Sequence, residues 1–477
     1  MKKFNNATDF ELVSVKITPQ GDEEGQPITK MVTDIKYSES ITSPFVAMSL
    51  QVVDSVGMLQ GNAPMNKPIQ GGEKVEVQVL TSGVDETIVY EMVVWKVANR
   101  FVQNEKQSYT LGLISPEALN NEVMRVENRL EGNPESIIAD LLQNKIKTSK
   151  VLYSEPARFE VKMLPNRRRP FDIFSILSTR SISPQSTYTT TSSTSESTSQ
   201  TAQSIKGSAG FFFWESKRGY NFFAVDSLCA DENSKLKSSK LESPAWGPYV
   251  EKRSATDDGS DTRYIIYKAV FQGEVDLIDS LRKGQYSSFI AFWNHSTGQY
   301  EEYVYKLKET YDNMAHLGGQ ESLSLIPSNQ IELSEYPTKI MSILLDHETW
   351  YNDPGIASPD ESDGSDAPTQ FADWQKYYAA QAISRYKLLK NQTCSIVIPG
   401  NAQICAGDKI DIRLVNKVPS SEGKKNPTDK ESSGVYLIEE VTHSYDPTAG
   451  ANGKFETTLR LMRDSYGMKD EESKHGN

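Results

Sequence analysis

The sequence is poor in the residues that reactive or extracellular folds rely on. It holds three cysteines, Cys229, Cys394 and Cys405, in 477 residues. They lie far apart or in strand contexts, without the paired spacing of a metal site. An odd, sparse set of this kind reads as reduced thiols in a protein folded in a cytoplasm. No apolar run approaches the roughly 20 residues of a membrane-spanning helix, so no membrane anchor is expected. The N-terminus, Met1-Lys2-Lys3-Phe4-Asn5-Asn6, has no apolar stretch after its lysines and does not read as a secretion signal. Positive charge is also short: the formal net charge is −13, which argues against clamping nucleic acid through phosphate contacts. The same balance suits a surface that DNA passes without sticking.

Recognisable catalytic chemistry is scarce as well. The histidines are His295, His316, His347, His443 and His475. Asp346-His347-Glu348 has metal-binding letters, but a single such triplet reads as surface charge. His443 precedes Ser444-Tyr445-Asp446, and a nucleophilic triad there would need a serine on a strained elbow; no Gly-x-Ser-x-Gly is present. Arg463-Asp464-Ser465 resembles a catalytic fragment only by its letters. No phosphate-cradling glycine loop with a following Lys-Ser/Thr occurs. No catalytic, cofactor-binding or metal-binding residue is therefore assigned, no cofactor is expected, and the chain reads as a non-enzyme. Arg167-Arg168-Arg169 is the one basic run; a solvated loop before a helix is its expected role, a contact with an acidic partner or neighbouring subunit the alternative. Phe211 to Trp214 alternates as buried sheet rather than as an exposed binding patch.

What is present is strand. The length implies roughly three or four structural units. Up to about Ser115, Phe10–Ile17 alternates, Ile28–Tyr37 and Phe45–Val53 look like the arms of a long hairpin, and Val75, Val77 and Val79 share one face. Met92–Val97 and Tyr109–Ile114 complete a mainly antiparallel set. The stretch Cys394–Met468 has the same character: Ile396-Val397-Ile398 stops at Pro399-Gly400, Ile410, Ile412 and Leu414 alternate with charges, and Tyr436–Val441 and Phe455–Leu461 follow.

The two stretches match in order. Gly61-Asn62-Ala63 corresponds to Gly400-Asn401-Ala402, Glu73-Lys74-Val75-Glu76-Val77 to Asp408-Lys409-Ile410-Asp411-Ile412, and Thr110-Leu111-Gly112-Leu113 to Thr458-Leu459-Arg460-Leu461. An internal duplication is expected, against the alternative of two unrelated barrels.

Between them the character changes. Ser115-Pro116-Glu117 and Asn133-Pro134-Glu135 open helices, with Ile137, Ile138, Leu141 and Leu142 as the buried stripe of the second. Pro170–Leu177 offers a third helix. Ser178–Ser208 is almost all Ser, Thr and Gln and cannot bury a core, so an exposed loop is expected. Lys217-Arg218-Gly219 turns a hairpin between Phe211–Trp214 and Tyr220–Val225. Further on, Tyr264–Phe271 and Ser287–Trp293 read as an early hairpin with a polar turn around Lys283-Gly284. Asp353–Pro368 reads as loop, and Phe371–Leu389 as a helix leading into the Cys394 strand.

The order Leu389-Lys390-Asn391, Ile396–Gly400, Ala406–Ile410, Ser433–Ile438, Val441-Thr442-His443 and Arg463–Gly467 resembles the end of the baseplate hub protein of contractile-tailed (T-even-like) phages. Asn133–Leu142, with Phe212–Glu215 and Gly219–Phe222, is similar to that family's interpolated domain. Related architecture occurs in the spike proteins (VgrG) of type VI secretion. The resemblance covers most of the chain, is densest after Leu389, and fails over the Ser/Thr insertion.

It implies a mainly β fold with α+β parts: two similar antiparallel β-barrel tube domains, a small α/β domain and an insertion. The expected division is 1–115 for the first barrel, 116–255 for the α/β domain with its loop at 178–208, 256–300 and 390–468 for the second barrel, 301–389 for the insertion and connecting helix, and 469–477 as a tail. It further implies a structural homotrimer in a virion tail baseplate, assembled in the host bacterial cytoplasm. Six quasi-equivalent barrels would adapt a threefold central spike protein to a sixfold tail tube and leave a channel for DNA. The tube initiator or tube proteins and neighbouring baseplate proteins are the other implied partners, and Arg463-Asp464-Ser465 becomes a terminating ion-pair turn. The lack of a spike or toxin segment after Met468 favours a separate spike partner. The rival readings are a tail-associated peptidoglycan hydrolase and a glycan-binding tail adhesin.

Overall fold

The computed structural model describes residues 4, 6–62, 65–84, 86–103, 106–158, 160–183, 208–230, 246–251, 262–271, 276–294, 298, 300–319, 325–326, 331–345, 351–352, 371–417, 428–450 and 452–469. Most of the Ser/Thr-rich stretch, Asp353–Pro368, Asp346-His347-Glu348, His295, His475 and all but Lys469 of the expected tail lie outside the described residues.

The chain is mainly β, with helices between its strand-rich ends. β1 (Phe10–Thr18), β2 (Gln26–Pro27), β3 (Val32–Ser40), β4 (Ala47–Asp54), β5 (Lys74–Thr81), β6 (Ile88–Gln103) and β7 (Lys106–Ile114) come first. Their inward residues form one core containing Val15, Ile35, Leu50, Val77, Val94 and Leu111. Strand alternation produces this: Val75, Val77 and Val79 are buried while Glu76 and Gln78 between them are only half-buried. β3 and β4 form the expected hairpin, with Tyr37 opposite Met48.

The central unit holds α1 (Pro116–Val123), β8 (Leu130–Gly132), α2 (Pro134–Leu141), β9 (Leu152–Ser154), β10 (Glu160–Met163), α3 (Pro170–Arg180), β11 (Phe211–Ser216), β12 (Gly219–Ala224) and α4 (Val225–Cys229). Ile137, Ile138, Leu141 and Leu142 are buried in its core as the stripe predicts. Ser115 stands at the cap position of α1 but makes no cap; its hydroxyl instead donates to Glu215 Oε2 at 2.7 Å, a stronger, charged acceptor.

β13 (Trp246–Glu251), β14 (Ile265–Ile266) and β15 (Lys268–Phe271) return the chain to strand. An insertion follows: α5 (Leu277–Arg282), β16 (Ser287–Asn294), β17 (Tyr300–Lys306), α6 (Leu307–Thr310), β18 (Leu325–Ile326), β19 (Ile331–Glu332), β20 (Lys339–Leu345) and β21 (Tyr351–Asn352). The expected hairpin between Tyr264–Phe271 and Ser287–Trp293 does not form. β16 pairs with β17 and β20 around its own small core of Ile290, Phe292 and Tyr305, whereas β15 pairs elsewhere. The connection is also no simple turn, because Asp276 accepts from Asp279 N and starts α5.

α7 (Phe371–Leu388) then delivers the chain to β22 (Gln392–Pro399), β23 (Lys409–Arg413), β24 (Gly434–Asp446) and β25 (Lys454–Arg463). Ile396, Ile410, Ile412, Ile438, Leu459 and Leu461 build the last core. These strands join the N-terminal ones in one large, chiefly antiparallel sheet, because β24 pairs with β3 as well as with β23 and β25.

Candidate functional site

With no catalytic cluster to build from, the informative geometry is the way the two strand sets repeat and join. In the first set β1 lies beside β2 and β5, β5 beside β6, β6 beside β7, β7 beside β4, and β4 beside β3. In the second, β13 lies beside β14 and β23, β23 beside β24, β24 beside β25, β25 beside β22, and β22 beside β15. The neighbour pattern is the same in chain order. One difference stands out: β1 runs antiparallel to both its neighbours and β13 parallel to both of its own.

The repeat holds to the residue. Lys74 is opposite Val93 and Lys409 opposite Leu437. The register then slips at the next position in each copy, between Val94 and Lys96 and between Ile438 and Glu440. Gly72 has φ +90° and Gly407 φ +89°, a region that favours glycine. Gly72 N donates to Val94 O at 2.7 Å and Gly407 N to Ile438 O at 3.0 Å; Val94 N returns to Glu73 O and Ile438 N to Asp408 O, both at 2.9 Å. Leu111 and Leu459, and Leu113 and Leu461, occupy matching places against β4 and β22. The Gly61-Asn62-Ala63 match does not carry over: Gly61 sits in a left-handed turn at φ +89°, while Gly400 N donates to Phe455 O, and Ala63 lies outside the described residues.

Buried charges pin the units together. The turn of the β11–β12 hairpin, Lys217-Arg218, sits between the two sets. Lys217 N donates to Glu39 of β3 at 2.6 Å, and Arg218 clasps Asp408 with both terminal nitrogens at 2.7 and 2.9 Å. Glu39 also accepts from Ala406 N at 3.0 Å and Tyr37 Oη at 2.8 Å. Burial pushes its carboxyl above the usual range, against the pull of those N–H donors. Glu215 accepts from Val46 N and pairs with Lys150 at 2.5 Å. On the far side Arg385 of α7 lies 2.7 Å from Asp464 and 3.2 Å from Asp226. His316 Nδ1 is 2.8 Å from Asp464, and Leu317 N donates to it at 2.9 Å. Burial works to raise the Asp464 carboxyl, but Arg385 and His316 hold it well below the carboxylate range. The motif Arg463-Asp464-Ser465 is thus an ion-paired turn, and Arg463 is itself buried, its guanidinium 4.4 Å over the Tyr436 ring.

The other residues singled out in the sequence take structural places. His443 is buried, hydrogen-bonded to Thr457 Oγ1 at 3.0 Å, and burial together with the Lys217 charge lowers it to about 3. Arg167 and Arg169 face Glu127, Glu122 and Asp172 of their own chain, so the basic run is a solvated loop. Phe211 and Trp214 are 1 % exposed and Phe213 7 %, so the run is chiefly buried sheet; with half-buried Phe212, Phe211 and Phe213 also line a pocket beside Phe171 and Tyr386. The three thiols are free and buried. Among the described residues no group of three or more His, Cys, Asp or Glu is placed to hold a metal ion. No described helix is long and apolar enough to cross a membrane. Arg385 went unnoticed in the sequence: it stands in a helix whose large residues are aromatic, and its partner lies 79 positions away.

No family model matches the chain, and no curated protein matches it in sequence. Its structure is similar to the tail protein from Neisseria meningitidis MC58, with a TM-score of 0.50 at 11% identity, over 96% of this chain and 97% of that one. The fold is that of a tail protein. The 43 kDa tail protein of prophage MuSo2 from Shewanella oneidensis aligns over 95% of this chain and 100% of its own at TM-score 0.48 and 10% identity. A component of the type VI secretion system of E. coli, described as structurally similar to T4 bacteriophage tail proteins, aligns over 95% and 78% at TM-score 0.40 and 11% identity. The likeness to the Neisseria tail protein spans nearly the whole chain, both strand sets included.

Proposed function

We propose that this chain is the structural hub of a contractile phage tail baseplate. As a homotrimer it forms a pseudo-hexameric ring that adapts a threefold central spike to the sixfold tail tube and leaves a channel for DNA. The observation that carries this reading is the residue-level repeat of the two strand sets, since a ring of six near-equal units from three chains requires it. Each set also supports a barrel. β14 and β15 are separated by Tyr267 alone, yet one lies on β13 and the other on β22, and β2 and β3 likewise bridge β1 and β4. In this reading, which these pairings support, the units are a first barrel to about residue 115, the α/β unit, and a second barrel of 246–271 and 392–468 interrupted by the insertion.

The channel lining follows from the same sheet. The face turned away from the cores carries Ser38, Ser49, Thr110, Thr442, Ser444 and Thr458, and Glu440 stands opposite Arg460. Small neutral groups with mixed charges give DNA no run of cations on which to release counterions. The partners in this reading are the spike protein, the tube or its initiator, and neighbouring baseplate proteins, assembled in the host cytoplasm. The chain's role is geometric, without catalysis. Native mass spectrometry of the full chain, alone and with candidate spike and tube proteins, tests it. Trimers that bind both are expected, and a chain that stays monomeric with both present contradicts the reading.

A further inference from the structure

One joint within the chain serves as a template for a joint it lacks. β24 extends past β23, and its outer edge is taken by β3: Thr442 opposite Ser38, Ser444 opposite Lys36, Tyr445 opposite Ile35. The tip of the β24–β25 hairpin then packs into the first core, where Tyr445 and Phe455 stack at 4.4 Å and Tyr90 Oη meets Tyr445 Oη at 3.0 Å. β6 holds the place of β24 in the other set. It too runs on past its inner neighbour β5, whose pairing ends at Val93. Among the described residues no strand pairs with the outer edge of Trp95–Gln103. β15 holds the place of β3, and among the described residues it pairs on one side only, with β22.

Between these two free edges runs an unbroken antiparallel sheet, β15-β22-β25-β24-β3-β4-β7-β6. Its strand number is even, so β6 of one copy meets β15 of the next antiparallel, as β24 meets β3. The exposed residues agree with a covered edge: Trp95 is 54 %, Phe101 60 % and Val102 59 % exposed on β6, and Val270 37 % on β15. A long apolar strand edge left open is a template for association.

We infer that β6 of one copy pairs with β15 of a second copy, repeating between chains the β24–β3 joint made within the chain. The repeat also sets the register. Ser108 and Glu456 are equivalent, so Phe101, opposite Ser108, takes the place of Ser444, opposite Glu456. Lys36 lies against Ser49 and Ser49 against Gly112; Val270 lies against Ser395 and Ser395 against Arg460. Since Gly112 and Arg460 are equivalent, Val270 takes the place of Lys36. Phe101 therefore faces Val270 of the next copy and Val102 faces Ala269, cross-strand apolar pairs of the kind that stabilise a sheet. Val102 takes the place of Tyr445 and enters the neighbour's second core as Tyr445 enters the first.

This joint rests on the trimer proposed above, and one experiment separates the two. The full chain carrying Phe101→Cys and Val270→Cys is oxidised and run without reductant, beside each single variant and beside a native mass measurement. Covalent trimer from the double variant alone is expected, since the native thiols are buried. A native trimer that yields no crosslink overturns the joint and leaves the trimer standing, while a monomeric mass overturns both. As a second variant, Phe101→Asp changes an exposed side chain and should leave circular dichroism unchanged while weakening the trimer at least about tenfold. Undiminished trimer from this variant also overturns the joint.

Discussion

Arg385 Nη1 lies 2.7 Å from Asp464 Oδ2, and neither side chain is exposed. The pair ties the connecting helix α7 to the end of the last strand, and Asp226 and His316 extend it to the central unit and the insertion. Taking one partner away leaves the other charge buried and unpaired. Arg385→Gln or Asp464→Asn should each cost about 3–5 kcal/mol. Urea unfolding at neutral pH measures it, and the double substitution should cost less than the sum of the two.

The same pair gives a pH dependence. The Asp464 carboxyl titrates below its unfolded range in the folded chain, so its contribution is complete above about pH 4 and is lost as pH falls toward its folded value. Asp464→Asn should flatten the acid limb of the stability curve over that window.

His443 acts in the same sense, over a higher pH window. Burial lowers it to about 3, against about 6.5 in the unfolded chain, so below pH 6.5 the unfolded state binds a proton that the folded state refuses. Stability should fall from about pH 6.5 downward until the folded imidazole titrates near pH 3. His443→Gln should remove that slope while keeping a hydrogen-bonding group near Thr457. Unfolding midpoints measured from pH 4 to 7 check it.

Gly72 and Gly407 share a backbone conformation but not surroundings. A Cβ on Gly407 would stand 2.4 Å from Cζ2 of buried Trp214, whereas one on Gly72 would meet the end of the flexible Gln20 side chain. Both alanine variants bear left-handed strain on the order of 1–3 kcal/mol. Gly407→Ala should be clearly the worse of the two in thermal denaturation, because Trp214 is anchored to Ala406 O at 3.0 Å and has nowhere to move.

The proposed channel lining can be probed by charge. Glu440→Lys with Glu456→Lys places cations on the core-averted face of the continuous sheet, where DNA phosphates would release counterions. Ejection from particles carrying both substitutions should slow, more so at low salt. Unchanged ejection would mean that this face does not line the channel.

Much of this architecture is legible in the sequence because it is local. Val75, Val77 and Val79 alternate as they are buried, Asn133-Pro134 opens a helix where it should, and Lys217-Arg218 turns the hairpin. The repeat is legible where register depends on the motif itself, as at Lys74 and Lys409. It misleads at Gly61 and Gly400, where similar letters occupy different backbone conformations. What the sequence hides is the choice of partner over distance. Ser287–Trp293 has the pattern of a hairpin arm next to Tyr264–Phe271, and only the tertiary fold sends it to β17 and β20. Arg385 looks like a surface cation until Asp464 and Asp226 are brought to it.

The central claim is that a duplicated chain gives threefold material a sixfold outline. End-on views of the assembled particle by electron microscopy test it most directly. Six near-equal densities around an open centre are the predicted result, with the central and inserted units breaking the symmetry to threefold at the rim. A compact single-copy particle, or a ring with only three densities and no open centre, would contradict it.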